Sequence, residues 1–329
     1  MALKNESSMM SQEDIAALFR GHHEVEECET LENDPQTNFE NCKKKDFHRE
    51  LIPVNELNES NFPDRYRNKK VLEVVKKLTN LTVMVVVKFT SSARPDFSED
   101  KIPYPSYKYR GTYISRNGTG RIRMVKKCPE DSVKTCPCSK CKTSGTPKTS
   151  WGEITVHTAT HVVFDESEAV YTTCVVDYDF DKQSSLEIQV VKLEEGDINR
   201  DCCRLLCVTH DLDLVDRLTQ TRSDFIQLCQ EVNEMYKDFR DEDKLAIIVS
   251  HPHGLPKRVS IGKWTYRIRE GSEFSKYSYT NATCPGSSGA TVYTMGDKDL
   301  ISLHVHSGTK DMDGSFNNYS GVGLDKYTW

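Results

Sequence analysis

Three short segments carry side chains whose types and order suit acyl-transfer chemistry. Thr158-Ala159-Thr160-His161 closes an apolar, β-branched stretch, His210-Asp211-Leu212-Asp213-Leu214 closes another, and Cys284-Pro285-Gly286-Ser287-Ser288-Gly289 reads as a tight turn between two such stretches. A serine hydroxyl attacks a carbonyl only if a neighbouring base takes its proton, and an imidazole base needs a carboxylate to fix its tautomer. The oxyanion that develops needs backbone N–H donors, which a Gly-x-Ser turn presents when its glycine takes a conformation closed to other residues. A His, an Asp and a Gly-flanked Ser occur here in that order, at His161, Asp211 and Ser288. Asp213 lies on the same face of an extended strand as Asp211, so it is the competing choice.

These residues must be held by strands. Val71, Leu72, Val74, Val75 and Leu78 form a helical face, and Leu81 to Phe89 follows as a β-branched strand. Further strands are expected at 113–114, 153–157, 169–176, 186–193 and 204–209. Phe225, Leu228, Cys229, Val232, Met235, Tyr236 and Phe239 then recur at helical spacing. Strands resume at 246–250, 258–261, 291–294 and 300–306. The expected architecture is all-β: two antiparallel β-barrel lobes joined by a helical linker, with a partly helical N-terminal extension. The division reads as a polar, partly disordered extension (1–68), a first lobe carrying His and Asp (69–215) with a Cys-rich insertion (126–150), a helical linker (216–243) and a second lobe carrying Ser (244–329). Ser11 to Asp14 caps the one short helix expected in the extension.

Taken together, the three boxes resemble those of the chymotrypsin-like (trypsin-like) serine endopeptidases. Thr158-Ala159-Thr160-His161 is similar to Thr-Ala-Ala-His, Asp211-Leu212-Asp213-Leu214 to Asp-Ile-Ala-Leu, and Gly286-Ser287-Ser288-Gly289 to Gly-Asp-Ser-Gly. The resemblance spans roughly residues 80–329. It implies a His161, Asp211, Ser288 triad, an oxyanion hole from the N–H groups of Gly286 and Ser288, an acyl-enzyme intermediate and a peptide substrate. Ser287 replaces the acidic residue that pairs with a freshly cut N-terminus in secreted members, so activation by that ion pair is not expected. Pro285-Gly286-Ser287-Ser288-Gly289 and His251-Pro252-His253-Gly254-Leu255 are closer to the Pro-Gly-Asn-Ser-Gly and Asn-Pro-Phe-Gly-Leu segments of Deg-type proteases. Thr283, five residues before Ser288, and His304 in Ile301-Ser302-Leu303-His304 resemble the pocket residues of glutamyl endopeptidases. That resemblance implies Glu or Gln at P1, the residue whose carbonyl is attacked.

Composition sets the outer bounds. The chain has 329 residues, with 50 acidic against 44 basic residues and a net charge of −6, which argues against a nucleic-acid partner. At 36% hydrophobic, with its longest apolar run at Leu81 to Val87, it offers no membrane-spanning helix. No apolar signal segment follows Met1, so a cytoplasmic location is expected and the six Asn-x-Ser/Thr sequons are read as unused. Twelve cysteines in a reducing compartment are thiols or metal ligands before they are disulfides. Cys128, Cys136, Cys138 and Cys141 form a candidate set for a structural zinc, with a disulfide pair or free thiols as the other readings. A catalytically silent binding module with a metal-binding Cys loop is the competing function. A latent enzyme gated by its tail is the third, for which deleting residues 1–65 is expected to raise the rate.

Overall fold

A computed structural model describes residues 10–28, 34–128, 135–297, 304–312 and 315–325. In the N-terminal extension, α1 (Gln12–Ala17), β1 (His22–His23), β2 (Glu26–Cys28), α2 (Pro35–Glu40) and β3 (Ile52–Pro53) precede α3 (Lys69–Leu81). The first lobe runs through β4 (Thr82–Val87), β5 (Ser115–Cys128), α4 (Ser139–Lys142), β6 (Trp151–Thr158), α5 (Glu166–Ala169), β7 (Thr172–Val176), β8 (Leu186–Asp197) and β9 (Cys202–Thr209). After α6 (Leu212–Tyr236) and α7 (Arg240–Asp243) come β10 (Leu245–Ser250), β11 (Arg258–Glu270), β12 (Phe274–Tyr279), β13 (Val292–Thr294), β14 (His306–Met312), β15 (Ser315–Ser320) and β16 (Gly323–Leu324).

All strand pairings among the described residues are antiparallel. In the first sheet the order is β2-β5-β4-β7-β8-β9-β6, and β6 returns to pair with β5, closing six strands into a barrel. The second sheet runs β1-β14-β15-β12-β11-β10-β13, with β16 on β12 and β3 on β11. A bridge between Thr291 and Val305, reinforced by the N–H of Val292 on the carbonyl of His304, brings its two ends together. The two-lobed all-β architecture with a helical connection is therefore what the chain adopts.

Strand alternation explains how one core serves both lobes. On β10, Ile247 and Val249 belong to the main cluster with α3 (Val71, Val74, Val75, Leu78) and α6 (Leu218, Phe225, Val232). Ala246 and Ile248 point the other way, onto Trp264, Tyr277, Tyr279 and Val292. A strand buried on both faces reads as an unbroken apolar run, and Leu245 to Val249 is one. Long β5 was missed by periodicity because Arg and Lys interrupt its apolar face, though Arg116 and Arg121 are buried. β8 and β11 extend beyond the expected strands, and β12 and β15 were also missed. Residues 300–303, expected to begin the strand ending at His306, lie outside the described residues, as do residues 1–9.

Much of the described extension is docked on the two lobes. Its polar surface hides anchors: Leu57, Phe62 and Tyr66 enter the main core, and Leu18 and Phe19 pack on Tyr319. Backbone pairing does the rest, since β1 adds to β14, β2 to β5 and β3 to β11. A polar composition says nothing about edge-strand pairing, where main-chain groups supply the bonds.

A buried ionic cluster fixes the loop after β6. Glu168 receives Arg94 through Nε (2.6 Å) and Nη2 (2.8 Å), pairs with Arg116 and accepts the N–H of Phe164. Arg94 also donates to the carbonyl of His161 (3.0 Å), and Arg116 to that of Val162 (2.9 Å). Burial favours protonation of Glu168, but the hydrogen bond and charge of Arg94 and the charge of Arg116 outweigh it and hold the group ionised. Glu168→Ala leaves two guanidinium groups buried without their partner, so a loss of about 3–5 kcal/mol is expected. Denaturant unfolding of the variant against the wild type measures it, and a loss under 1 kcal/mol would refute this account.

Candidate active site

His161 sits just beyond β6, fully buried. Thr158 Oγ1 donates to the carbonyl of Thr119 (2.7 Å), and Thr160 Oγ1 to that of Cys202 (2.7 Å), so the flanking threonines fasten the segment to both neighbouring strands. The carboxylate beside the imidazole is Asp201. His161 Nδ1 lies 2.8 Å from both Asp201 oxygens, and the His161 N–H donates to Oδ1 at 3.0 Å. Ser307 Oγ donates to the other oxygen at 2.5 Å. Burial alone raises the pKa of Asp201, yet the charge and hydrogen bond of His161, together with His23 and Ser307, bring it down to about 2. His161 Nε2 is buried without a hydrogen-bond partner among the described residues.

Asp211 does not fill this role. It is the N-cap of α6, exposed, with Oδ1 accepting the N–H of Leu214 at 2.9 Å. An Asp followed by an apolar helical face is a capping signal, and that is the use the chain makes of it. Asp213 is in the first turn of the same helix, so it is no substitute. Asp201 was missed because it belongs to the turn between β8 and β9. There it holds φ +51°, a left-handed conformation that Asp tolerates better than most residues. A lone Asp in an Asn-Arg-Asp turn carries no motif.

Ser288 occupies the turn between β12 and β13. Gly286 (φ +95°) and Gly289 (φ +87°) take backbone conformations that a side chain would strain. A Cβ on Gly289 would lie 2.1 Å from the carbonyl oxygen of Thr119. Thr119 on β5 braces the turn across the lobes. Its N–H donates to the carbonyl of Ser288 (2.7 Å), its Oγ1 to that of Gly286 (2.8 Å), and its Oγ1 accepts the N–H of His251 (3.0 Å). Thr119 had no signal in the sequence beyond its place between two glycines. Ser287 faces inward, with Oγ 3.1 Å from Ser250 Oγ.

The chain's own extension runs through this site. The N–H of Gly286 (2.8 Å) and of Ser288 (3.3 Å) both donate to the carbonyl oxygen of Glu24. Ser288 Oγ accepts the Glu24 N–H at 3.1 Å. Before Glu24, β1 pairs with β14 through His22 opposite Thr309 and His23 opposite Gly308. After it, β2 pairs with β5, Glu26 opposite Asn117. The His23 ring lies over His161, centroids 4.2 Å apart. Burial and the charge of His161 lower the His23 pKa to about 4, which keeps it neutral.

The Glu24 side chain ends on His306 Nε2 (2.8 Å) and pairs with Lys44. His306 Nδ1 is in turn 2.6 Å from Tyr279 Oη. Burial opposes ionisation of Glu24, but Lys44 and His306 hold its carboxyl well below the usual range. The residue meeting this carboxylate is thus His306, not His304. The same-face alternation that pairs the two histidines also allows an offset of two. His304 Nε2 instead lies 2.9 Å from the carbonyl of Ser275, and its ring packs edge-on to Tyr277. Thr283 is buried, its Oγ1 without a hydrogen-bond partner among the described residues. Residues 301–303, expected in the strand with His304, lie outside the described residues.

The Cys-rich insertion gathers a different set from the one expected. Cys136, Cys138, Cys141 and His210 place one donor atom each within 4.8 Å of one another. Cys138 Sγ accepts the N–H of Cys141 (3.3 Å), and Cys141 Sγ that of Lys148 (3.4 Å). Cys128, at the end of β5, lies in the same buried cluster as the three thiols, with Trp151 and Val208, but is not one of the four converging donors. His210 takes the fourth place because β9 delivers it there, beside the capping Asp211. Three thiolates and one imidazole suit tetrahedral zinc.

Two substitutions separate the carboxylates. Asp201→Asn is expected to abolish the low-field proton resonance of a carboxylate-bound His161 Nδ1–H. Asp211→Ala is expected to keep that resonance and to lower stability by about 1 kcal/mol through the lost cap. Proton NMR and denaturant unfolding read the two effects, and loss of the resonance in Asp211→Ala would overturn the assignment.

No family model matches the chain, and no curated protein matches it. Among solved structures, it is similar to the HtrA-type protease AlgW with decapeptide at 13% identity and a TM-score of 0.38. That match covers 77% of this chain and 62% of AlgW, so the chain spans less than two thirds of that neighbour's length. The Rv3671c protease from M. tuberculosis, active form, matches at 13% identity and a TM-score of 0.37, over 75% of this chain and 78% of the other. Likeness at this level is too weak to carry an argument, and the architecture stands on the strand order described above.

Proposed function

We propose that the chain is a serine endopeptidase that cleaves after glutamate, and that it is held latent by its own N-terminal segment. One observation carries the reading. An intact peptide of this chain lies across the Gly286–Ser288 turn with the Glu24 carbonyl oxygen on both backbone donors and the Glu24 side chain on His306. Strand pairing continues on both sides of Glu24. That is how a substrate would thread the site, with Glu24–Val25 as the scissile bond.

In this reading Ser288 Oγ attacks the carbonyl carbon while His161 Nε2 takes its proton, and Asp201 holds the imidazolium through Nδ1–H. The oxyanion rests on the N–H groups of Gly286 and Ser288. Collapse breaks the C–N bond as His161 protonates the leaving amine, and water hydrolyses the resulting acyl ester by the same path. A Glu or Gln side chain would be selected by His306, oriented by Tyr279 Oη. The Cys136, Cys138, Cys141, His210 cluster would hold a structural zinc that pins the insertion to the end of β9, apart from the chemistry.

Both His161 and Ser288 are fully buried under the segment, which supports latency over an open binding module. The cut that relieves it must be short. Deleting residues 1–65 would also remove β3, Leu57 and Phe62 from the fold, so a truncation to residue 28 is the informative one.

Truncated chain is expected to react at Ser288 with a fluorophosphonate and to cleave peptides with Glu at P1 at least tenfold faster than peptides with Arg. Asp201→Asn should slow labelling by about a thousandfold or more. Full-length chain on incubation should release a product beginning at Val25, and Ser288→Ala should not. Mass spectrometry reads both; no labelling of the truncated chain and no cleavage after Glu would sink the proposal.

A further inference from the structure

A second cluster of soft donors lies outside the catalytic machinery. Cys42 follows α2, His48 lies in the 3₁₀ turn Lys45–Glu50, His253 follows β10, and Cys284 stands four residues before Ser288. One donor atom from each lies within 4.8 Å of all the others. The Cys42 and Cys284 sulfurs are 3.8 Å apart, and His48 Nε2 is 3.2 Å from Cys284 Sγ. Two sulfurs each about 2.3 Å from a shared tetrahedral centre stand about 3.8 Å apart, far beyond a disulfide's roughly 2.05 Å.

The surroundings are those of a metal site. His253 Nδ1 is 2.8 Å from Glu26 Oε2, which leaves Nε2 to face the cluster, buried and without a hydrogen-bond partner among the described residues. An imidazole oriented by a carboxylate through its far nitrogen is the usual arrangement behind a ligating histidine. The N–H of Lys44 donates to Cys42 Sγ at 3.3 Å. Phe39 stacks on the His48 ring, centroids 3.7 Å apart, and Leu51, Phe47 and Ala282 shelter the sulfurs.

We propose that Cys42, His48, His253 and Cys284 bind a zinc ion that clamps the N-terminal segment onto the body beside the nucleophile turn. Two ligands come from the segment and two from the second lobe, so the site exists only while the segment is docked. Metal binding then adds to docking, and metal loss loosens the segment from the cleft. The clamp's effect on the cleft rests on the latent-peptidase reading; the binding of zinc does not.

Zinc content is the test, read by elemental mass spectrometry on full-length Ser288→Ala, which cannot process itself. About two zinc ions per chain are expected, falling to one in Cys42→Ser or His48→Ala and, separately, to one in Cys136→Ser. Hydrogen exchange at residues 22–28 should speed at least tenfold in the first two variants and stay unchanged in the third. Circular dichroism confirms that the variants fold. Zinc content untouched by both Cys42→Ser and His48→Ala would overturn the proposal, as would a Cys42–Cys284 disulfide in a non-reducing peptide map of the freshly isolated chain.

Discussion

The site depends on a single threonine. Thr119 spends its N–H, its hydroxyl and its carbonyl on three different segments: the nucleophile turn, the His251 segment and Thr158 ahead of His161. Each bond contributes only about 1 kcal/mol net, but together they fix the nucleophile turn against β5 at the seam of two lobes that share one core. Glycines flank it because nothing larger fits. A Cβ on Gly118 would strike Val162, and one on Gly120 would strike Val156. Close backbone approach at this point brings the Ser288 turn of one lobe against the strands that lead to His161 in the other.

Around that contact the charges are arranged in pairs that are nearly dry. Glu168 with Arg94 and Arg116 sets the loop of His161, Asp201 with Ser307 sets its ring, and Glu24 with Lys44 and His306 closes the cleft. Buried ion pairs contribute little to net stability but penalise any arrangement that separates them. The result is a site specified by position rather than by strength.

How much of this was legible in the sequence follows from what each residue does. α3, β4, β6, β10 and α6 were legible because burial imposes a period on their side chains. His161 and the Ser288 turn were legible because a threonine-flanked histidine at a strand end and a glycine-flanked serine are local patterns. Asp201, Thr119 and His306 were not. Their partners lie far away along the chain, and nothing nearby distinguishes them from Asp211, any strand threonine or His304. The docked extension was illegible for a related reason: β1 and β2 are held by main-chain groups, whose pairing leaves no trace in residue type. The fourth donor beside the Cys loop, His210, hid behind a helix cap.

A segment tethered to the site it fills acts as a ligand at an effective concentration fixed by its connection, on the order of millimolar for a short flexible tether. An outside peptide with the same affinity would need to exceed that concentration to enter. Cutting after Glu24 would leave the downstream half anchored through β2 and β3 while freeing the upstream half to diffuse away. Local concentration would then collapse to bulk concentration in one irreversible step, and the cleft would become open to competitors it had excluded.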